Sequence, residues 1–255
     1  MKKLFFFAAA MCAAVSMNAK DCTWNFTSIF TEAKTFAIGD GKTAEAVVEG
    51  ELYTYGNGKD KGFAVDVAQS SKYFVDFLTA ADQDENGKVA RLKSQGSGYV
   101  NAEGVFGALA FKVSGNSTIT IAAISSNGSQ VRKMQVLDGT GKEIQSFTFD
   151  GNIGKKDANN EIVTEPFVAN YTGAATTIYI VSAPNTEAGA GVDGYTAGGI
   201  NYYKIVATNV ADWNSNVTAV ENAFVAPKAT KMMVDGQMVI VRDGVKYNAL
   251  GTVVE

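Results

Sequence analysis

The sequence predicts an all-β chain, a jelly-roll-like antiparallel β-sandwich followed by a small C-terminal β-hairpin unit. Short β-branched or aromatic runs recur throughout, separated by Ser, Thr, Asn and Gly, and 26 Gly against 3 Pro suit many strands joined by tight turns. The stretch Phe106 to Asp138 repeats one pattern three times, in Leu109–Val113, Ser117–Ile121 and Arg132–Leu137. Apolar residues alternate there with small or polar ones, and period two means one buried face per strand. Far downstream, Gly198 to Val206 answers this stretch as a further strand of the sandwich heart.

Taken in order, the chain opens on Lys2 and Lys3, an apolar run from Leu4 to Val15, and a small-residue end, Ser16-Met17-Asn18-Ala19. That pattern is an export signal cleaved after Ala19, and the apolar run is shorter than the roughly 20 residues that span a bilayer. The mature protein is therefore expected in an exported compartment, at the cell surface, outside the cell or in the periplasm. It keeps only Cys22, so no internal disulfide is available and stability must come from the core. Without Lys2 and Lys3 the chain carries 20 Lys and Arg against 26 Asp and Glu, a net of −6. Nucleic acid and anionic membrane surfaces need a basic footprint and are poor partners for it.

Trp24 and Phe26 open the mature chain at strand spacing, as an edge strand closing the sandwich. Ala33 to Glu49 stays open, because Lys42 to Val48 suits a short helix or a strand. Glu51–Tyr55 and Phe63–Val67 read as strands, the first with Tyr53 and Tyr55 on one face. Lys72 to Ala80 reads as a buried strand. Arg132 to Asp150 forms one hairpin around Asp138-Gly139, where Gly can take positive φ without a Cβ penalty. Gly151 to Asn160 is a polar loop, Thr176 to Val181 a strand, and Pro184 to Gly194 an Ala- and Gly-rich loop. The sandwich domain is expected over residues 20–208, a linker over 209–229, and a hairpin unit over 230–255 built on Asp235-Gly236 and Asp243-Gly244. A unit of that size is marginal alone.

The chemistry available is restricted. There is no His, which removes Ser-His-Asp and Cys-His catalysis and the commonest zinc ligand. The sharpest local motif is Asp82-Gln83-Asp84-Glu85-Asn86-Gly87. Asp82, Asp84, Asn86 and Gly87 match the opening of a calcium loop, whereas position twelve is Lys93 where a bidentate Glu is needed. A polar hairpin loop explains the same residues. Calcium is the only cofactor the chain suggests. Asn25, Asn116, Asn127, Asn170 and Asn216 each begin an Asn-x-Ser/Thr triplet and read as ordinary polar positions.

The tail, Val217 to Asn222 and then Val234 to Gly251, resembles the type IX secretion sorting domains that end exported proteins of Bacteroidetes, in a short form. The resemblance implies delivery to the cell surface or the medium. The main domain resembles the non-catalytic, carbohydrate-binding-like β-sandwich modules attached to pectate lyases and related polysaccharide-degrading enzymes. The matching residues are Trp24-Asn25-Phe26-Thr27, Ala108–Val113, Ile119–Ala123, Ser125–Ser129, Val136–Gly139 and Gly198–Ile205.

Such modules stack aromatic faces on sugar rings and fix hydroxyls with polar side chains. The candidates here are Arg91, Lys93, Tyr99, Tyr195, Asn201 and Tyr202, placed by strand ends and Gly-rich loops. Tyr202 and Tyr203 point to opposite faces, so one of them belongs to the core. A second reading is a structural or adhesive surface protein without a small ligand. A third is an enzyme using paired carboxylates, with Asp66, Asp76, Glu103, Asp138 and Asp193 available.

Overall fold

The computed structural model describes residues 19–36, 43–57, 62–70, 74, 77–149, 155–156, 162–163, 165–184, 197–215, 230–234, 237–242, 245–248 and 253–254. The chain begins with β1 (Lys20–Asn25), the single turn α1 (Phe26–Ile29), β2 (Lys34–Thr35), β3 (Ala44–Val48), β4 (Leu52–Tyr55) and β5 (Phe63–Ser70). It continues through β6 (Lys88–Ser94), β7 (Tyr99–Asn101), β8 (Gly104–Phe106), β9 (Ala108–Val113), β10 (Ser117–Ser125), β11 (Arg132–Leu137) and β12 (Glu143–Phe149). After the short β13 (Lys155–Lys156) and β14 (Ile162–Val163) come β15 (Phe167–Tyr171), β16 (Thr176–Ser182) and the twelve-residue β17 (Ile200–Ala211). A separate four-stranded sheet holds β18 (Thr230–Val234), β19 (Gln237–Arg242), β20 (Val245–Asn248) and β21 (Val253–Val254). The proposed export signal and both Asp-Gly pairs of the tail lie outside the described residues.

Every ladder is antiparallel, and the pairings resolve into two layers. One layer runs β2-β5-β6-β17-β10-β15, with β1 taking over from β6 along the later part of β17. The other runs β3-β4-β9-β16-β11-β12. Between β9 and β17 the chain changes layer repeatedly, in the manner of a jelly roll. The two ladders join only where Val210 and Ala211 of β17 pair with Val113 and Lys112 of β9. Just before that switch Asn209 adopts φ +57, a conformation Asn tolerates better than most residues. Its side-chain amide donates to the Asn116 carbonyl at 2.6 Å and its own N–H donates to Asp21 at 3.2 Å, so the bend is held from both sides.

The inner faces fill with Trp24, Leu109, Phe111, Ile119, Ile121, Met134, Val136, Ile178, Ile180 and Ile205. Trp24 of the first layer meets Phe111 of the second at 5.0 Å between ring centroids, and at the far edge Phe167 meets Phe147 at 4.9 Å and Phe149 at 5.0 Å. Each such side chain removed from water contributes roughly 2 kcal/mol. Cys22, the one cysteine among the described residues, is buried here and its thiol pKa is pushed up to about 11, chiefly by that burial, which leaves it an inert core residue.

Several expectations are corrected. The central strands were expected to bury one face, yet β9, the latter half of β10 and the start of β17 bury both. Outside the second layer, Ala108, Ala110, Tyr179 and Val181 are covered by Tyr55, Val100, Val105 and Trp213. Outside the first, Ala122, Ile124 and Tyr203 are covered by Phe74, Phe77, Leu78 and Val89. That second cover is the stretch expected to be a buried strand. Of its described residues Phe74 and Leu78 are buried, but they form a turn: Phe74 sits at φ +60 and its carbonyl accepts from the N–H groups of Phe77 and Leu78. The Arg132–Phe149 hairpin forms as expected, although its positive φ falls on Gly141 rather than Gly139. The Asp138 carboxylate sets this turn by accepting from Thr140 and from the Lys142 N–H. Residues 209–215, expected in the linker, pack on the sandwich: β17 runs to Ala211, Trp213 stacks on Tyr53 at 4.3 Å, and Lys112 donates to the Trp213 and Ser215 carbonyls. The open stretch before Glu49 resolves as the strand β3.

Candidate functional site

At one end of the first layer the neighbouring strands β6, β17 and β10 stop together, since Lys93 pairs with Asn201 and Ser125 pairs with Ile200. The loops that continue them enclose a cleft of about 630 Å³, lined by Lys93, Ser94, Gln95, Ser97, Ser126 and Arg132 with backbone from Gly96 and 197–199. Strand ends fix the walls. The Ile200 N–H donates to Ser94 Oγ at 2.9 Å, the Ser126 N–H to the Gly199 carbonyl at 3.1 Å, and Ser182 Oγ to the Gly198 carbonyl.

Arg132 forms the floor and is only 7% exposed. Its Nη1 donates to the Gly199 carbonyl at 2.8 Å and its Nη2 to Gln130 Oε1 at 2.8 Å, while Nε is buried without a partner among the described residues. No carboxylate pairs with it among the described residues, and burial pulls its pKa down from the ordinary value. The approach of the guanidinium explains the Gly pair. A Cβ on Gly198 would stand 1.9 Å from Arg132 Nη1, and one on Gly199 would stand 2.1 Å from the Ser94 carbonyl oxygen.

The residues singled out in the sequence separate into several environments. Lys93 lines the cleft, half-buried. Arg91, on the same strand, is held by Asp66, with Nε and Nη2 at 2.9 and 2.8 Å from Oδ2, and the Tyr203 hydroxyl bears on it as well. Burial would lower its pKa, but these partners raise it, so it is a structural ion pair. Tyr99, exposed, packs its ring on Phe106 at 4.8 Å in the β7–β8 hairpin. Asn201 and Tyr202 are corrections. Both are buried, because the start of β17 is flanked by β6 and β10 and covered on both faces, so neither presents a side chain to a ligand. Burial drives the Tyr202 hydroxyl well above its ordinary pKa, and neither it nor Asn201 Oδ1 finds a hydrogen-bond partner among the described residues. Tyr195 lies outside the described residues.

The calcium-like loop is likewise divided. The Asp82 carboxylate turns inward, accepting from the Asn25 amide at 2.9 Å, from the Thr79 N–H and hydroxyl at 2.8 and 3.0 Å, and pairing with Lys204 at 2.9 Å. Asp84 instead accepts from the N–H groups of Asn86 and Lys88, both at 2.8 Å, inside its own loop. The carboxylates of Asp82 and Asp84 thus serve the fold at separate places, and among the described residues no cluster of three acidic or Cys side chains stands ready for an ion. Of the Asn-x-Ser/Thr asparagines, Asn25, Asn116, Asn127 and Asn170 all accept local hydrogen bonds.

Sequence reading missed Arg132 and the Gly198-Gly199 pair. A signal was present: Arg132 shares the period-two parity of Met134 and Val136, which places a cation on the buried side of β11.

Comparison with known proteins gives fold likenesses alone. No family model matches the chain, and no curated protein matches it. Among solved structures, the chain is similar to the K1 cleaved adhesin domain of Lys-gingipain from Porphyromonas gingivalis W83, at 8% identity and a TM-score of 0.39, covering 74% of this chain and 97% of that one. It is similar to the C-terminal CBM6 of LamC, a marine laminarinase from Zobellia galactanivorans, at 8% identity and a TM-score of 0.26, covering 74% and 98%. A CBM36-1 domain of a multidomain xylanase from the hindgut metagenome of Trinervitermes trinervoides matches at 13% identity and a TM-score of 0.25, covering 44% and 83%. All three TM-scores lie well under one half, so the site rests on this chain's own geometry.

Proposed function

We propose that the protein is an exported, non-catalytic module that binds a glycan in the cleft at the loop end of its sandwich. The observation that carries this reading is the lining itself. Ser94, Gln95, Ser97, Ser126, Lys93 and Arg132 set hydroxyl, amide and cationic groups around a cleft of about 630 Å³, within the size range of small-ligand sites. These groups suit the hydroxyls of a sugar: Lys93, Ser94 and Arg132 sit at strand ends, and Gln95, Ser97 and Ser126 in the loops that follow the strands. The described lining has no aromatic ring, so recognition runs through hydrogen bonds rather than the stacking expected from the sequence. It also has no carboxylate. Asp66 is committed to Arg91, Asp138 to its turn, and Glu103 lies at the tip of the β7–β8 hairpin, while Asp76 and Asp193 lie outside the described residues, so among the described residues no carboxylate pair is placed in the cleft. Residues 1–19 as export signal and residues 230–255 as a sorting-like tail complete the reading, with delivery to the cell surface or medium.

A panel of plant, algal and host oligosaccharides titrated calorimetrically against the mature chain tests it. At least one is expected to bind, and Ser126→Trp, which fills the cleft, is expected to abolish that binding. Absence of any binding, or binding indifferent to the plug, favours a structural or adhesive surface role instead.

A further inference from the structure

The cleft has a property its hydroxyl-rich walls do not require. It carries two cationic side chains, Lys93 and Arg132, and no described lining residue is acidic, in a chain whose net charge is −4. Elsewhere in the sandwich Arg91 is neutralised by Asp66 and Lys204 by Asp82, each within 3.0 Å, while half-buried Lys112 donates to the Trp213 and Ser215 carbonyls away from the cleft. Arg132 is more buried than Arg91 and, among the described residues, has only a backbone carbonyl and an amide oxygen as acceptors. Its Nε has no partner among the described residues, although guanidinium groups ordinarily pair in a fork with a carboxylate or a phosphate-like anion. A buried cation without a counter-charge costs free energy that a fold rarely spends without use. The Gly198-Gly199 backbone is shaped to the guanidinium, since a Cβ at either position would collide with Arg132 or with the Ser94 carbonyl that walls the same cleft.

Resting on the reading that the cleft is a glycan site, we infer that its ligand is an acidic glycan, whose carboxylate or sulfate supplies a counter-ion that Arg132 and Lys93 do not find among the described residues. The serine hydroxyls and Gln95 then address the neutral hydroxyls of the same or the neighbouring ring. Arg132 fixes the anion from the floor, and Lys93, half-buried at the wall, strengthens the attraction from the side.

Three trisaccharides of one linkage test this with the mature chain: cellotriose, the corresponding glucuronate trisaccharide, and cellotriose sulfated at its primary hydroxyls. The charged ligands are expected to bind about tenfold more tightly than cellotriose or better, with affinity falling as salt rises. The stronger of the two identifies carboxylate or sulfate ester as the preferred anion. Lys93→Gln, at a half-buried position, is expected to weaken the charged ligands severalfold more than it weakens cellotriose, and Arg132→Met to erase the preference. Equal affinity for all three, or a preference that survives both substitutions, overturns the acidic-glycan inference while leaving the glycan site in place. Failure of all three and of the wider panel to bind overturns both.

Discussion

Two cations are tucked into this sandwich, one from each layer, and the fold treats them in opposite ways. Lys204, on β17, reaches a carboxylate that is saturated: Asp82 accepts from Asn25, Thr79 and Lys204 at 2.8 to 3.0 Å, and the lysine head stands 5.0 Å from the Phe77 ring centroid. Arg132, at the cleft, is more deeply buried than most polar groups and among the described residues is given carbonyl-type oxygens alone. The first arrangement ties Asn25 beside α1, the loop before β6 and the middle of β17 into one polar cluster under a hydrophobic cover. The second holds a charge in reserve at an opening. A compensated buried charge marks architecture, and an uncompensated one at a cleft marks a place for something to bind.

The largest effect expected from breaking this contrast comes from Asp82→Ala, which leaves Lys204 buried without its partner. Chemical denaturation should show a loss of about 3 kcal/mol. The same carboxylate gives a pH signature. Burial alone would raise its pKa, but the bonds from Lys204 and Thr79 outweigh that and hold it below the ordinary carboxylate range. Its stabilisation is therefore complete above the unfolded value and lost as pH falls through the folded one, so the wild type should weaken below about pH 4 and the variant should lose part of that slope. Glu51, held down by Lys20 and the Trp24 indole against its own burial, keeps the remainder of the acid dependence in both proteins.

Arg132→Met should move stability the other way. The substitution removes an uncompensated charge and leaves the Gly199 carbonyl still paired with the Ser126 N–H, so denaturation should show no loss and a gain of about 1 kcal/mol. A loss as large as that of Asp82→Ala would mean that Arg132 is architectural too, and the contrast would collapse. The smallest change expected is from Tyr202→Phe, which deletes a buried hydroxyl that has no described partner. Stability should stay level or rise by about 0.5 kcal/mol, and glycan binding should not change, because the ring faces the core.

Period-two alternation was enough to place the strands and the hairpin from Arg132 to Phe149, because inner-face residues such as Met134, Val136, Ile119 and Ile121 declare themselves by spacing. It was not enough to say what covers the outer faces. The Phe74–Leu78 turn and the β7–β8 hairpin lie over distant strands, and nothing local distinguishes a strand with two covered faces from one with a single covered face. That is why Asn201 and Tyr202, next to a Gly pair and of suitable chemistry, read as ligand contacts and proved to be core. The cleft was hidden for a related reason. Ser94, Ser126, Arg132 and Gly199 come from four separate stretches that only the strand register brings together, and of the predicted set's described residues only Lys93 shares it. The acidic loop misled in its own way, since the Asp-x-Asp-x-Asn spacing is equally that of a carboxylate anchoring a one-turn 3₁₀ segment followed by an Asx turn.

β17 flanks β6, β10 and β1 in one layer and reaches across to β9 in the other, yet it is the last strand of the sandwich to be synthesised. β1 has no described ladder partner except this strand, nearly the whole length of the domain away. The first layer therefore lacks its middle, and Trp24 its fixed seat against Phe111, until residues 200–211 have emerged. Assembly must wait for them, and loop closure over that span is slow. A chain handled in N-to-C order stays open through most of its passage, and the event that closes it is the arrival of one strand.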